Sequence, residues 1–201
     1  RIRGCPECLS QPEGQSIGTT DMRKEFSMEN IYHDYWEQEL MYQFVTDDRC
    51  RKKAYICSPL SAQTKEDTVT NMRMARAYMF YAYKKMNLSA RAPHGYLPML
   101  LCDNVPSERA LALRFGLELM EKGDVLLVCG TRISNGMRGE IARAAALRLQ
   151  IIVFDEGLYL EVQKLVTQHN GDKKTVKLDR ENFPMSFSNP ISYLENAAMF
   201  K

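Results

Sequence analysis

The chain has 201 residues, of which 45% are hydrophobic and 26% charged, with a formal net charge of +2. Such a chain can bury a full core, and its interspersed acids and bases give no broad electrostatic footprint for a nucleic-acid backbone. No apolar stretch approaches the roughly 20 residues that span a bilayer, so no membrane partner is expected, and no secretory signal is visible in a sequence that starts at Arg1.

Residues 1–50 read as an N-terminal extension. The first 20 mix Gly, Pro, Ser and Gln without periodicity, as a loop or mobile end does. Cys5-Pro-Glu-Cys8 has the spacing of half a zinc knuckle, which Cys50 and His33 or upstream residues would have to complete. Half a site is too little to predict a metal, and no cofactor is expected. From Asp21 a helix is expected, with Ile31, Tyr35, Trp36, Leu40 and Phe44 able to share one face. That stripe has no interleaved basic residues. Packing against the main domain or a second subunit is therefore favoured over stacking with bases.

Residues 51–201 then alternate between strand and helix signals. Lys53–Cys57 reads as a strand ending in Ser58-Pro59, and a helix follows over Asp67 to Asn87, where Val69, Met72, Ala75, Met79, Ala82, Tyr83 and Met86 recur at spacings of three and four. The methionines are adaptable core filling. Ser89–Ala92 is a weak second strand, terminated by Pro93 and followed by His94. Another helix is expected from about Pro106 to Lys122, with Gly123 as its stop. Asp124–Cys129 has the length and β-branched content of a parallel strand buried on both faces. A helix from Glu140 to Leu149, a strand Ile151–Phe154, a helix Leu158–His169, an edge strand Thr175–Leu178 and a closing helix Ile191–Phe200 complete the series. This alternation predicts an α/β fold, a doubly wound parallel sheet of flavodoxin or Rossmann type carrying the N-terminal helical extension.

Six cysteines are present. Cys57, Cys102 and Cys129 lie within or beside apolar runs, where the residue behaves as a small buried hydrophobe, so a reduced, cytoplasmic setting is expected.

Ligands of open α/β sheets bind beyond the carboxyl ends of the strands. Three loops should meet there, carrying Ser58 and Pro59, His94, and the Gly130 to Gly136 segment, with Met137 close by and Glu140 joining from the first turn of its helix. Gly130, Gly136 and Gly139 let a ligand approach the backbone closely, and free N–H groups at the helix start can bind a hydroxyl, a carboxylate or a phosphate. Arg132 and Arg138 either meet a phosphate or remain solvated. The loop is neither a Walker A segment nor the dinucleotide fingerprint. Taken by itself, Glu140 is a ligand-facing acid or a first-turn acid complementing the helix dipole. His94 either protonates a leaving group or orders its own loop.

Tyr55-Ile-Cys-Ser-Pro59, Pro93-His94 with Leu97-Pro98, Asp124-Val-Leu-Leu-Val, and Ser134-Asn-Gly-Met-Arg-Gly-Glu140-Ile with Ala144 resemble an uncharacterised group of phage and mobile-element proteins. That group is in turn similar to the nucleoside 2-deoxyribosyltransferases. The resemblance spans roughly residues 53 to 155. It implies a nucleoside or nucleotide as ligand, Glu140 as the nucleophile that attacks the anomeric carbon and holds the sugar as an ester, and either a homo-oligomer in which a neighbour's apolar C-terminal segment, Phe183–Phe187 and Tyr193–Phe200, completes the site or the docking of that segment on its own domain. Two positions depart from the transferase pattern. Ser134 and Gly116 stand where acids are expected, with Glu118 or Asp103 as substitutes. Hydrolysis of an N-glycosidic bond is thus an expectation alongside transfer, and so is a non-catalytic nucleotide-binding, sensing or interaction module of a mobile element.

Overall fold

The structure, a computed structural model, describes Glu37, Glu39, Leu40 and residues 51–181. Five strands form one sheet: β1 (Lys52–Cys57), β2 (Leu88–Arg91), β3 (Val125–Val128), β4 (Gln150–Val153) and β5 (Val176–Leu178). Every pairing is parallel, and the order is β2-β1-β3-β4-β5. This is the expected doubly wound α/β architecture. Four helices connect the strands: α1 (Lys65–Met86), α2 (Pro106–Glu121), α3 (Asn135–Ala146) and α4 (Glu156–Gln168).

The alternation of side chains along each strand sorts the core into two layers. Ala54, Ile56, Val125 and Leu127 face α1, whereas Tyr55, Cys57, Leu126 and Val128 face the layer of α3 and α4, into which Met120 of α2 also packs. β3 is buried along its whole length, as its unbroken Val-Leu-Leu-Val demands. The chain runs one way from β1 to β2 and the other way from β3 to β5, so right-handed crossovers place α1 on one face and the later helices on the other. Where the two directions part, between β1 and β3, the carboxyl ends of the strands open a crevice.

Local signals account for most helix limits. Thr64 caps α1, its hydroxyl accepting from the Asp67 amide at 3.0 Å, and Asn87 ends the helix in the left-handed region with φ of 53°. Pro106 opens α2 without needing a backbone donor, and Asp155 caps α4 by accepting from Leu158 at 2.8 Å. One limit corrects the sequence expectation. α3 begins at Asn135 rather than at Glu140, because Ser134 is its cap: Ser134 Oγ accepts from the Met137 amide while the Ser134 amide donates to Met137 Sδ.

Nine residues of α1 are buried, and they include Arg76, Tyr78, Phe80 and Tyr81 on several sides of the helix. A helix buried nearly all round needs a cover opposite the sheet. Helical residues of the extension supply it. Leu40 joins the α1 core, and Glu37 accepts from Arg76 Nε and Nη2 at 3.1 and 3.0 Å, both side chains being buried. The Cys5 and Cys8 pair, the rest of the aromatic stripe and the closing helix Ile191–Phe200 lie outside the described residues. Among the described residues, no helix is long and apolar enough to cross a membrane.

Removing one partner of a buried ion pair leaves the other charge uncompensated, at a cost of about 3–5 kcal/mol. Glu37→Ala should therefore lower the thermal midpoint by roughly 6–20 °C. Glu37→Gln, which keeps an acceptor, should lose less. Calorimetry on the two variants checks this, and a midpoint unchanged in both would deny the pair any part in docking the extension.

Candidate functional site

The site is built from the ends of β1 and β3. Tyr55 and Cys57 are two residues apart on β1, so both point toward α3. The Tyr55 hydroxyl donates to Glu140 Oε1 at 2.8 Å. The Cys57 thiol also faces that carboxyl, and its sulfur lies 4.0 Å from the Met137 carbonyl oxygen. Glu140 is in the second turn of α3, where its carboxyl serves this bond rather than the helix dipole.

From the other side comes α2. A Cβ at Gly116 would stand 3.2 Å from the Tyr55 hydroxyl, so the missing side chain is what gives that hydroxyl its place. Glu121 near the end of α2 pairs with Arg143 of α3, which holds the two helices on either side of the Tyr55–Glu140 bond.

Burial works against a charge here. It raises the Glu140 pKa above the usual carboxylate value, while the hydrogen bonds from Tyr55 and Cys57 pull it back. Burial, and then the Glu140 charge, push the Tyr55 phenol and the Cys57 thiol far upward, so both remain protonated donors. The result is a partly desolvated carboxylate oriented by neutral groups.

A second pair lies beside it. Ser58, buried at 6% exposure, has its Oγ 2.8 Å from His94 Nε2, linking the loops that follow β1 and β2. Burial lowers the His94 pKa to about 4, so the imidazole is neutral at physiological pH. In that form it is a hydrogen-bond partner of Ser58, which is the loop-ordering alternative for this residue.

The remaining expected residues divide. Gly130 has φ of +96°, and a Cβ on it would meet Pro59 Cδ at 3.0 Å, so glycine is required to seat the β3 loop against the β1 loop. Gly136 and Gly139 are exposed, with open space where a side chain would be at Gly139. Arg132 Nη2 donates to the Ser61 carbonyl at 3.3 Å, which fastens the same two loops. Met137, expected at the ligand corner, is instead fully buried beneath α3, because the Ser134 cap turns it toward the sheet. Ser134 is spent on that cap. Arg138 pairs with Glu161 of α4, and the substitute acids Asp103 and Glu118 sit in exposed pairs with Arg109 and Arg114. Asp124 accepts from the Lys53 amide at 2.8 Å, which ties the start of β3 to β1.

Two contributors escaped sequence reasoning in their roles. Tyr55 and Cys57 stood out only as strand residues, as a motif of the resemblance and, for Cys57, as a small buried hydrophobe, and the available signal was a phenol and a thiol on the same face, opposite the helix that carries Glu140. A separate groove of about 530 Å³ lies at the far side of the sheet against Gln150, Ile152, Lys177 and Arg180, and contains none of these residues.

The two shifts predict opposite pH dependences. The native state holds the Glu140 proton to higher pH than the unfolded chain, so stability falls as pH rises from about 4.5 through the raised native value. Glu140→Gln should remove that slope and exceed the parent in stability at pH 8, with the difference closing near pH 4. The unfolded chain protonates His94 at about 6.5 and the native state only at about 4, so stability also falls as pH drops through that window. His94→Gln should flatten this acid limb. Denaturant midpoints at half-unit pH intervals check both, and a histidine ring titrating at its ordinary value by NMR would contradict the second.

The family described as Domain of unknown function (DUF7768) matches residues 52–154, from β1 to just past β4. No curated protein matches the chain.

Proposed function

We propose that this chain, which belongs to the DUF7768 family, is a nucleoside- or nucleotide-directed protein that cleaves or exchanges an N-glycosidic bond with Glu140 as nucleophile. The observation that carries the reading is the 2.8 Å hydrogen bond from Tyr55 to Glu140, placed where the sheet reverses its direction of winding. A carboxylate that is desolvated yet held by a neutral donor is the group that retaining glycosyl chemistry needs. One carboxylate oxygen attacks the anomeric carbon, and the electron pair of the carbon–nitrogen bond leaves with the base, which takes a proton from solvent water. Water or a second base then attacks the same carbon and releases Glu140.

The surrounding groups fit those steps in part. Tyr55 orients the attacking carboxylate, and the small Gly136 and Gly139 leave that side of α3 open to a sugar. The Ser58–His94 pair offers neutral hydrogen-bonding atoms for hydroxyl groups or a base.

A specific observation favours a second reading as well. Gly116 and Ser134 supply no additional acid, since one makes room for Tyr55 and the other caps α3. A lone carboxylate with neutral donors also suits a non-catalytic nucleotide-binding or sensing module.

Incubation with a panel of nucleosides, nucleotides and nicotinamide dinucleotides separates the two. Under the enzymatic reading at least one member releases free base by chromatography, and Glu140→Gln loses that turnover by several orders of magnitude while still binding. Tyr55→Phe should reduce turnover about 10–100-fold, as loss of a hydrogen bond worth about 1.5–3 kcal/mol to a charged group implies. If no member is cleaved and one raises the thermal midpoint, the binding module stands instead. If none does either, both readings fail.

A further inference from the structure

The two faces of the sheet are covered unequally. On the face of α3 and α4, Ile151 and Val153 of β4 and Val176 of β5 are all buried. On the face of α1, burial is complete only as far as β3. Val125 and Leu127 are buried there, but their partners across the ladder, Gln150 and Ile152, are half-buried, and Lys177 beyond Ile152 is exposed. Among the described residues, the layer between α1 and the sheet includes no fully buried residue of β4 or β5. A helix of about 10 Å diameter spans about two strands set about 4.8 Å apart, so α1 cannot reach the far edge. Parallel sheets are normally covered on both faces. The uncovered part is the groove of about 530 Å³ against Gln150, Ile152, Lys177, Arg180 and Glu181.

The chain itself supplies a cover. The described residues end at Glu181, which lines the groove, and residues 182–201 continue from that point. Apolar residues dominate this segment, with Glu195 and Lys201 as its charges. Asn189 and Pro190 have the order of a helix cap and first turn, and Ile191, Leu194 and Ala198 follow at helical spacing. A helix over residues 191–200 is about 15 Å long, close to the roughly 13 Å of a four-residue strand such as β4. Residues 182–190 reach about 30 Å when extended, ample for a return from the end of β5 along the sheet. α4 already occupies the other face of β4 and β5, so the free surface next to this segment is the groove. The N-terminal extension is engaged elsewhere, through Glu37 and Leu40 on α1.

We infer that residues 182–201 fold back over the α1 face of β4 and β5, with Ile191 and Leu194 seated against Ile152, and so close the sheet within one chain. The inference does not depend on the reaction at Glu140. It bears on assembly instead, because a segment held in the groove is not free to complete a neighbour's site.

Hydrogen exchange read by mass spectrometry on the full chain, at about 1 and 100 μM, tests it. The amides of residues 191–200 should be protected equally at both concentrations. Ile152→Asp should reduce that protection at least about tenfold, the least that exposing one buried aliphatic side chain implies, while β1 and β3 exchange as before. Leu194→Asp, which leaves the sequence of the sheet intact, should release the same segment and speed exchange in β5. It decides the matter if Ile152→Asp disturbs the sheet itself. A segment 191–200 that exchanges as an unstructured chain overturns the inference. So does protection lost on dilution, which would assign the groove to a neighbour's segment. Release by Leu194→Asp that leaves β5 unchanged would place the segment on another surface and overturn it as well.

Discussion

The parallel ladder between β1 and β3 is the constraint on which the rest depends. These strands are neighbours in space although α1, β2 and α2 separate them in the chain, and their pairing sets Tyr55 beside Leu126 and Cys57 beside Val128. A further bond from the Cys129 amide to the Cys57 carbonyl, at 2.9 Å, carries the alignment past the last paired residues. Once this ladder forms, right-handed crossovers can place α1 only on one face and α2, α3 and α4 only on the other. The crevice at the strand ends, and the loops that meet there, follow from that division.

The same ladder explains why Glu140 is tolerated where it is. A carboxylate held against the buried ends of β1 and β3 is costly to ionise, and a helix of this composition would be more stable with a neutral residue at that place. The fold offsets part of the cost with one phenol and one thiol, both from β1 and both held protonated by their own burial. Room for the phenol comes from α2, at Gly116. Three elements distant in sequence thus combine around one carboxyl, which is the expected signature of a site that trades stability for function.

A second chain of contacts ties the extension to the site. Arg76 of α1 is held by Glu37 on one side and donates from Nη1 to the Gly95 carbonyl at 2.8 Å on the other. Gly95 follows His94, whose ring meets Ser58 at the end of β1. The docking of the extension and the geometry of the β2 loop therefore share one buried guanidinium, whose planar fork can satisfy both at once.

Much of the architecture was legible from residue order alone. The unbroken apolar run before Gly130, the three-and-four spacing through α1 and the Gly and Pro punctuation are local patterns, and local patterns are what a sequence states directly. They determined the alternation of elements, the parallel sheet and the convergence of three loops with Glu140 nearby. What they did not determine was which groups touch. Ser134 and Met137 both lie in the expected ligand segment, yet the cap formed between them withdraws both from the site, and it moves the helix start five residues ahead of Glu140. His94 has the pKa of an acid catalyst in isolation and loses it through burial. Tyr55 acquires its role only from the facing helix. The strand periodicity placed Tyr55 and Cys57 on one face, but only the pairing of β1 with β3 and the packing of α2 and α3 over them brought a hydroxyl, a carboxylate and a missing side chain together. Contacts between residues 85 positions apart in sequence, as Tyr55 and Glu140 are, depend on that long-range closure and on no local preference.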